Sequence, residues 1–141
     1  MRGLPGFSNA AVFVKEYMGK KKILIIDDNS MIRALLVDVF EDEFDVETAV
    51  DGTQGIIAAS AARPDVILLD VNIPDMSGIE VARQLAQLPE TSSIPVVVVT
   101  ATEYTDDVER QFMPYGNFKG FLSKIASSDD IRTVIKRVLG D

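Results

Sequence analysis

The chain contains no histidine and no cysteine among its 141 residues. Without histidine, imidazole acid–base catalysis and imidazole-ligated metal sites are excluded. Without cysteine there are no disulfides and no thiolate chemistry, which is consistent with a cytoplasmic protein. A metal bound by this chain must therefore be a hard cation held by oxygen. No apolar run approaches the length needed to span a bilayer, so no membrane contact is expected. Basic residues are a minority: 14 Lys and Arg against 22 Asp and Glu give a net charge of −8. That balance argues against nucleic acid as a partner. Internal repeats and low-complexity tracts are lacking as well.

What remains is a chain that is 47% hydrophobic and long enough for one domain with one core. Three dense apolar runs each end in a polar or acidic residue. KKKILIIDD stops at Asp27 and Asp28, DVILLD at Asp70, and IPVVVVT at Thr100. A fourth, shorter run, KGFLSK, ends at Lys124. Runs this rich in Ile, Leu and Val read as strands buried on both faces of a parallel sheet. In such a sheet the C-terminal strand ends share one edge, where ligands bind. Three carboxylates, a hydroxyl and an ammonium are thus expected to converge.

Helical patterns separate these runs. After a strand at about 22–27, SMIRALLVDVFED places Ile32, Leu35, Leu36, Val39 and Phe40 at helical spacing, with Asn29 or Ser30 as its cap. FDVETA, 44–49, alternates as a half-buried strand. DGTQGIIAASAAR is a small-residue helix closed by Pro64 before a strand at 65–70. GIEVARQLAQL forms a third helix, Pro95 introduces the fourth strand, and a short helix is expected over 105–113. The last helix has Ile131, Val134, Ile135, Val138 and Leu139 on one face, Ser127 or Ser128 as cap, and Gly140 beyond its end. Five βα units predict an α/β fold with a doubly wound five-stranded parallel sheet in flavodoxin-like order, (βα)5. Residues 1–19, MRGLPGFSNAAVFVKEYMG, carry no strand pattern. They are expected to be a poorly ordered N-terminal extension, with the domain at 20–141.

Two carboxylates about 5 Å apart repel by roughly 3 kcal/mol at an effective dielectric near 20. Three on one edge call for a cation. Capping of the following helix accounts for Asp27 or Asp28, not for both, and not for Asp70 on another strand. A divalent ion with oxygen ligands, Mg2+, is the economical solution. Lys124 and Thr100 then offer a charge and a hydroxyl donor to an anion. Singly, either has an ordinary surface explanation. Together with the aspartates they describe a carboxylate nucleophile that accepts a phosphoryl group.

With IIDDNS, LLDVNIPDMSG, VVVVTA and GFLSK in this order, the chain resembles the receiver domain of bacterial two-component response regulators over about residues 20–141. The resemblance implies a chemotaxis-regulator-like signalling switch rather than an enzyme, either a stand-alone receiver or an excised one. It implies Asp70 as phosphoacceptor, with Asp27, Asp28, Asp70 and the backbone carbonyl of Asn72 as ligands of Mg2+. Thr100 and Lys124 would contact the phosphoryl oxygens. Phe121 would be the aromatic whose rotamer follows Thr100. Pro74 and Gly78 match the turn after the acceptor strand, where Gly78 is expected to take an unusual backbone conformation. The sequence departs from the family in having Ile125, not proline, after Lys124, which predicts a trans peptide bond there. The stretch EYTDDVERQFMPYGNFKG is also a residue or two long.

The donor phosphohistidine must come from a sensor histidine kinase or a histidine phosphotransfer protein, since this chain has no histidine. A downstream protein target is implied, and a homodimer is left open. Two other classes fit less well. A pseudo-receiver that binds its partner without phosphorylation would not need the intact acids, threonine and lysine. A Mg2+-dependent phosphohydrolase of the aspartyl-phosphate type places a second acid two residues after its nucleophile, and here that residue is Asn72.

Overall fold

The computed structural model describes residues 20–100, 106–123 and 126–140, with the side chains of Thr100 and Asp106 left aside. Five strands and five helices alternate in this part of the chain: β1 (Lys21–Ile26), α1 (Ser30–Phe40), β2 (Phe44–Ala49), α2 (Gly52–Ala62), β3 (Val66–Asp70), α3 (Gly78–Gln87), β4 (Val96–Thr100), α4 (Asp106–Phe112), β5 (Phe118–Ser123) and α5 (Ser128–Leu139). All pairings are parallel and the order is β2-β1-β3-β4-β5. This is the expected flavodoxin-like winding. The chain reverses direction across the sheet between β1 and β3, and a crevice opens at that point.

The period of two along each strand sorts the core into two layers. Leu24, Ile26, Ile67, Leu69, Val96 and Val98 face α2, α3 and α4, where Ala59, Val81, Ala82, Leu85 and Phe112 meet them. Ile23, Ile25, Val66, Leu68, Val97 and Val99 face the other way, against Leu36 and Phe40 of α1 and Ile131 and Ile135 of α5. β1 and β3 are buried along their apolar length because helices cover both faces. β2 is an edge strand and shows the half-buried pattern that its alternation predicts.

Local signals set the helix ends. Asn29 is the N-cap of α1, its side chain accepting from the Met31 and Ile32 amides, and Ser127 caps α5. α5 ends on Gly140 at φ 81°, a left-handed cap suited to glycine. Arg132 and Lys136 tie α5 to the α1–β2 connection. Arg132 Nη2 donates to Val39 O at 3.0 Å, and Lys136 Nζ donates to Glu43 Oε2, also at 3.0 Å.

Two expectations need correction. Leu35 belongs to the helical pattern of α1 but is 55% exposed, because it stands at the rim of a small apolar cavity that it lines with Leu36 of α1, Val99 of β4 and Ile131 of α5. Gly78 is not in a left-handed conformation; among the described glycines only Gly140 has positive φ. Close approach is what requires glycine at 78. An added Cβ would stand 2.8 Å from both Asp70 O and Val71 Cα, and backbone cannot yield as a side chain can. The expected trans bond at Lys124–Ile125 and the extension at 1–19 lie outside the described residues.

Candidate functional site

Register brings the acids together. Ile26 of β1 pairs with Leu69 of β3, so Asp27 and Asp70 occupy the next rung at the C-terminal sheet edge. Asp28 follows at the rim. Oxygens of the Asp27, Asp28 and Asp70 carboxylates all lie within 4.8 Å of one another. Asp27 and Asp70 are 2% and 4% exposed, whereas Asp28 is open to solvent. A cleft of about 580 Å³ opens beside them, walled by Asp28 and the β3–α3 loop from Val71 to Ser77.

The surrounding hydrogen bonds orient these acids and do not cap a helix with them. Asp27 Oδ1 accepts from the Asn29 amide at 2.9 Å, and Asn29, not either aspartate, caps α1. Asp70 Oδ1 accepts from the Asn72 amide at 3.2 Å. Capping therefore does not explain the acidic pair. Oxygen donors at this spacing, with no thiolate or imidazole in the chain, fit a hard divalent cation that keeps part of its water shell.

Two contributors were not singled out from sequence. Arg33, on the first turns of α1, donates through Nη1 to Asp27 O at 2.7 Å, and so brings a guanidinium next to the acids. Its position six residues past Asp27 was the available signal. Asp75, at the tip of the β3–α3 loop, accepts from the Gly52 and Thr53 amides at 2.8 Å each and from Thr53 Oγ1 at 2.6 Å. The Thr53 hydroxyl, together with those amides, holds the Asp75 carboxyl down at about 2 from an ordinary 3.8. The only sequence hint was one more acid in NIPDMSG.

Among the other expected site residues, Thr100 ends β4 and pairs in register with Ser123 of β5, which puts its backbone at the same sheet edge. Its side chain and all of Lys124 are outside the described residues. Phe121 is half-buried and makes edge-on contacts with Phe112 at 5.7 Å and Phe118 at 5.5 Å between ring centroids. Asn72 is exposed on the cleft wall, and a bridge to Ser77 closes its loop.

Comparison with known proteins agrees with this geometry. Residues 23–136 match the family described as the response regulator receiver domain. The polar-differentiation response regulator DivK of Brucella anthropi is 33% identical over 122 residues, covering 86% of this chain and 98% of DivK. Sporulation initiation phosphotransferase F of Bacillus subtilis is 35% identical over 123 residues, covering 86% and 96% respectively. The alignment to the DNA-binding response regulator MtrA of Mycobacterium leprae is 39% identical but spans only 39% of that protein. Among solved structures, the chemotaxis protein CheY4 of Vibrio cholerae superposes with a TM-score of 0.80 at 29% identity, over 84% of this chain and 98% of that one.

Proposed function

The chain belongs to the response regulator receiver domain family, and from that premise we propose that Asp70 is its phosphoacceptor. The observation that carries this reading is the meeting of three carboxylates from two strand ends at the switch point of the sheet. Asp70 is the member on β3, beside the open cleft and oriented by the Asn72 amide. Asp27, Asp28, Asp70 and the Asn72 carbonyl are the residues that would hold Mg2+. When bound, the ion neutralises charge on the acids and on the phosphoryl oxygens.

Asp70 attacks phosphorus in line with the leaving group. A carboxylate O–P bond forms and the N–P bond of the partner's phosphohistidine breaks. The electron pair returns to the imidazole, which picks up its proton within the partner or from solvent. Thr100 donates its hydroxyl to one phosphoryl oxygen and Lys124 pairs with another. Asn72 offers no carboxyl to protonate a leaving group, so the chain acts as a switch, not as a general phosphohydrolase. The partners are a sensor histidine kinase or phosphotransfer protein upstream and a protein target downstream, in the cytoplasm. We assign the receiver domain to 20–141, with residues 1–19 as an extension outside it. The added charge draws Thr100 inward, and Phe121 on the neighbouring strand follows, altering the face formed by α4, β5 and α5.

The test is direct. Acetyl phosphate and Mg2+ should add about 80 Da to the wild-type protein and nothing to Asp70→Asn, read by intact mass. A comparable adduct on both proteins would remove Asp70 from its role.

A further inference from the structure

The β3–α3 loop forms most of the cleft wall and carries Asn72, yet only part of its anchoring comes from its own strand and helix. At its base, Gly78 N donates to Val71 O at 2.9 Å and Asn72 bridges to Ser77. The tip is held from outside. Asp75 takes the Gly52 and Thr53 amides, which are the first two N–H groups of α2, and the Thr53 hydroxyl. The third amide, of Gln54, goes to the α2 N-cap Asp51 at 2.8 Å. Two carboxylates thus share the unpaired donors of one helix end, one from within the helix and one from the cleft loop. Next to Asp75, Met76 lies flat on Gly52, where an added Cβ would come 2.6 Å from Met76 Cγ.

We propose that Asp75 is a positioning residue for the metal and phosphoryl site: by fastening the β3–α3 loop to the N-terminus of α2, it fixes the backbone of Asn72 at the cleft. It touches neither ion nor phosphoryl group. It acts through the loop, and Thr53 and Gly52 are its counterparts on α2. The inference rests on the metal reading given above. It predicts that replacing Asp75 weakens cation binding although no ligand is altered.

Asp51 supplies the control, because it caps the same helix through the Gln54 amide and belongs to the helix end, not to the cleft loop. Mg2+ affinity, followed by NMR titration, should fall about tenfold in Asp75→Ala, at the low end for groups that orient a ligand from outside the coordination shell. Asp75→Asn keeps one acceptor oxygen and should recover part of the loss. Thr53→Ala, which removes a single bond, should give a smaller loss and serves if Asp75→Ala folds poorly. Asp51→Ala should lower the melting temperature while leaving the Mg2+ affinity at the wild-type value. In chelator, amide shifts of residues 72–77 should move in Asp75→Ala and stay in place in Asp51→Ala. Unchanged affinity in Asp75→Ala, or an equal loss in Asp51→Ala, overturns the proposal. A wild-type protein that binds no Mg2+ instead overturns the metal reading, and the shifts in chelator then decide the loop's anchoring alone.

Discussion

Asp28 offers the cleanest measure of what the acidic cluster costs the fold. Its carboxylate reaches within 4.8 Å of those of both Asp27 and Asp70. At that distance a pair of charges repels by about 0.9 kcal/mol in bulk water and about 3.5 kcal/mol at an effective dielectric of 20. Asp28 is exposed, so the lower figure is nearer. Asp27 is its sequence neighbour, and much of that repulsion survives unfolding. Folding creates only the Asp28–Asp70 pair. Asp28→Asn should therefore stabilise the metal-free protein by about 1 kcal/mol, or about 4 °C in melting temperature for a domain of this size.

Magnesium should reverse the order. At ten times its dissociation constant a ligand adds RT ln 11, about 1.4 kcal/mol, to a protein that binds it only when folded. Wild type gains this increment, and Asp28→Asn, short of one charged ligand, gains much less. Differential scanning fluorimetry in EDTA and in Mg2+ should show the two melting curves exchanging places, and high NaCl should shrink the gap in EDTA. If Asp28→Asn melts below wild type in EDTA, or if Mg2+ raises both proteins equally, the electrostatic account of the site is wrong.

Gly78→Ala should destabilise the fold by about 1–3 kcal/mol in urea titrations and slow phosphorylation, since its Cβ would press on Asp70 O and Val71 Cα at 2.8 Å. The Asp75 carboxyl titrates at about 2 in the fold against 3.8 ordinarily, held there first by the Thr53 hydroxyl and then by the Gly52 and Thr53 amides. A lowered folded value means a contribution present above about pH 4 and lost as pH falls toward 2, so urea midpoints of wild type and Asp75→Asn should converge on acidification. Arg132→Ala should cost about 1 kcal/mol, because it removes the Val39 carbonyl bond at 3.0 Å along with pairing to Glu43 at 3.4 Å; Lys136→Ala, an outer ion pair, should cost less.

The order of elements and the sheet were legible because β1, β3 and β4 are dense apolar runs and the first and last helices carry recognisable caps. Asn29, Ser127 and Gly140 stand where the chain's local chemistry places helix ends. The acids were legible because they interrupt those runs at their C-terminal ends. Side chains whose roles depend on contacts far along the chain were not. Asp75 and Gly52 are 23 residues apart and meet only because β3 returns beside β1. Gly78 was marked as special in the sequence, but the reason differed. The expected cause was a backbone angle, a local property, and the actual one is the proximity of Asp70 and Val71. Leu35 failed for a similar reason, since helical spacing tells which residues share a face and not how deeply Val99 and Ile131 cover each of them.

The two buried acids also show why the strands that carry them are otherwise so uniformly apolar. β1 buries Ile23, Leu24, Ile25 and Ile26 and then sets Asp27 at 2% exposure; β3 buries Val66, Ile67, Leu68 and Leu69 and then sets Asp70 at 4%. Each fully buried aliphatic side chain contributes about 1.5–3 kcal/mol. The paired strands thus hold their register with a large margin over the repulsion at their ends, which is on the order of a few kcal/mol. A one-residue slip would send alternate side chains to the wrong layer, so the acids cannot move apart by sliding. Nor can they relax by turning outward without breaking the bonds to the Asn29 and Asn72 amides. A local arrangement that opposes folding persists only where the surrounding structure over-determines it, and such places are where chemistry is done. Here the relief that the fold withholds from the carboxylates is what a bound divalent cation would supply.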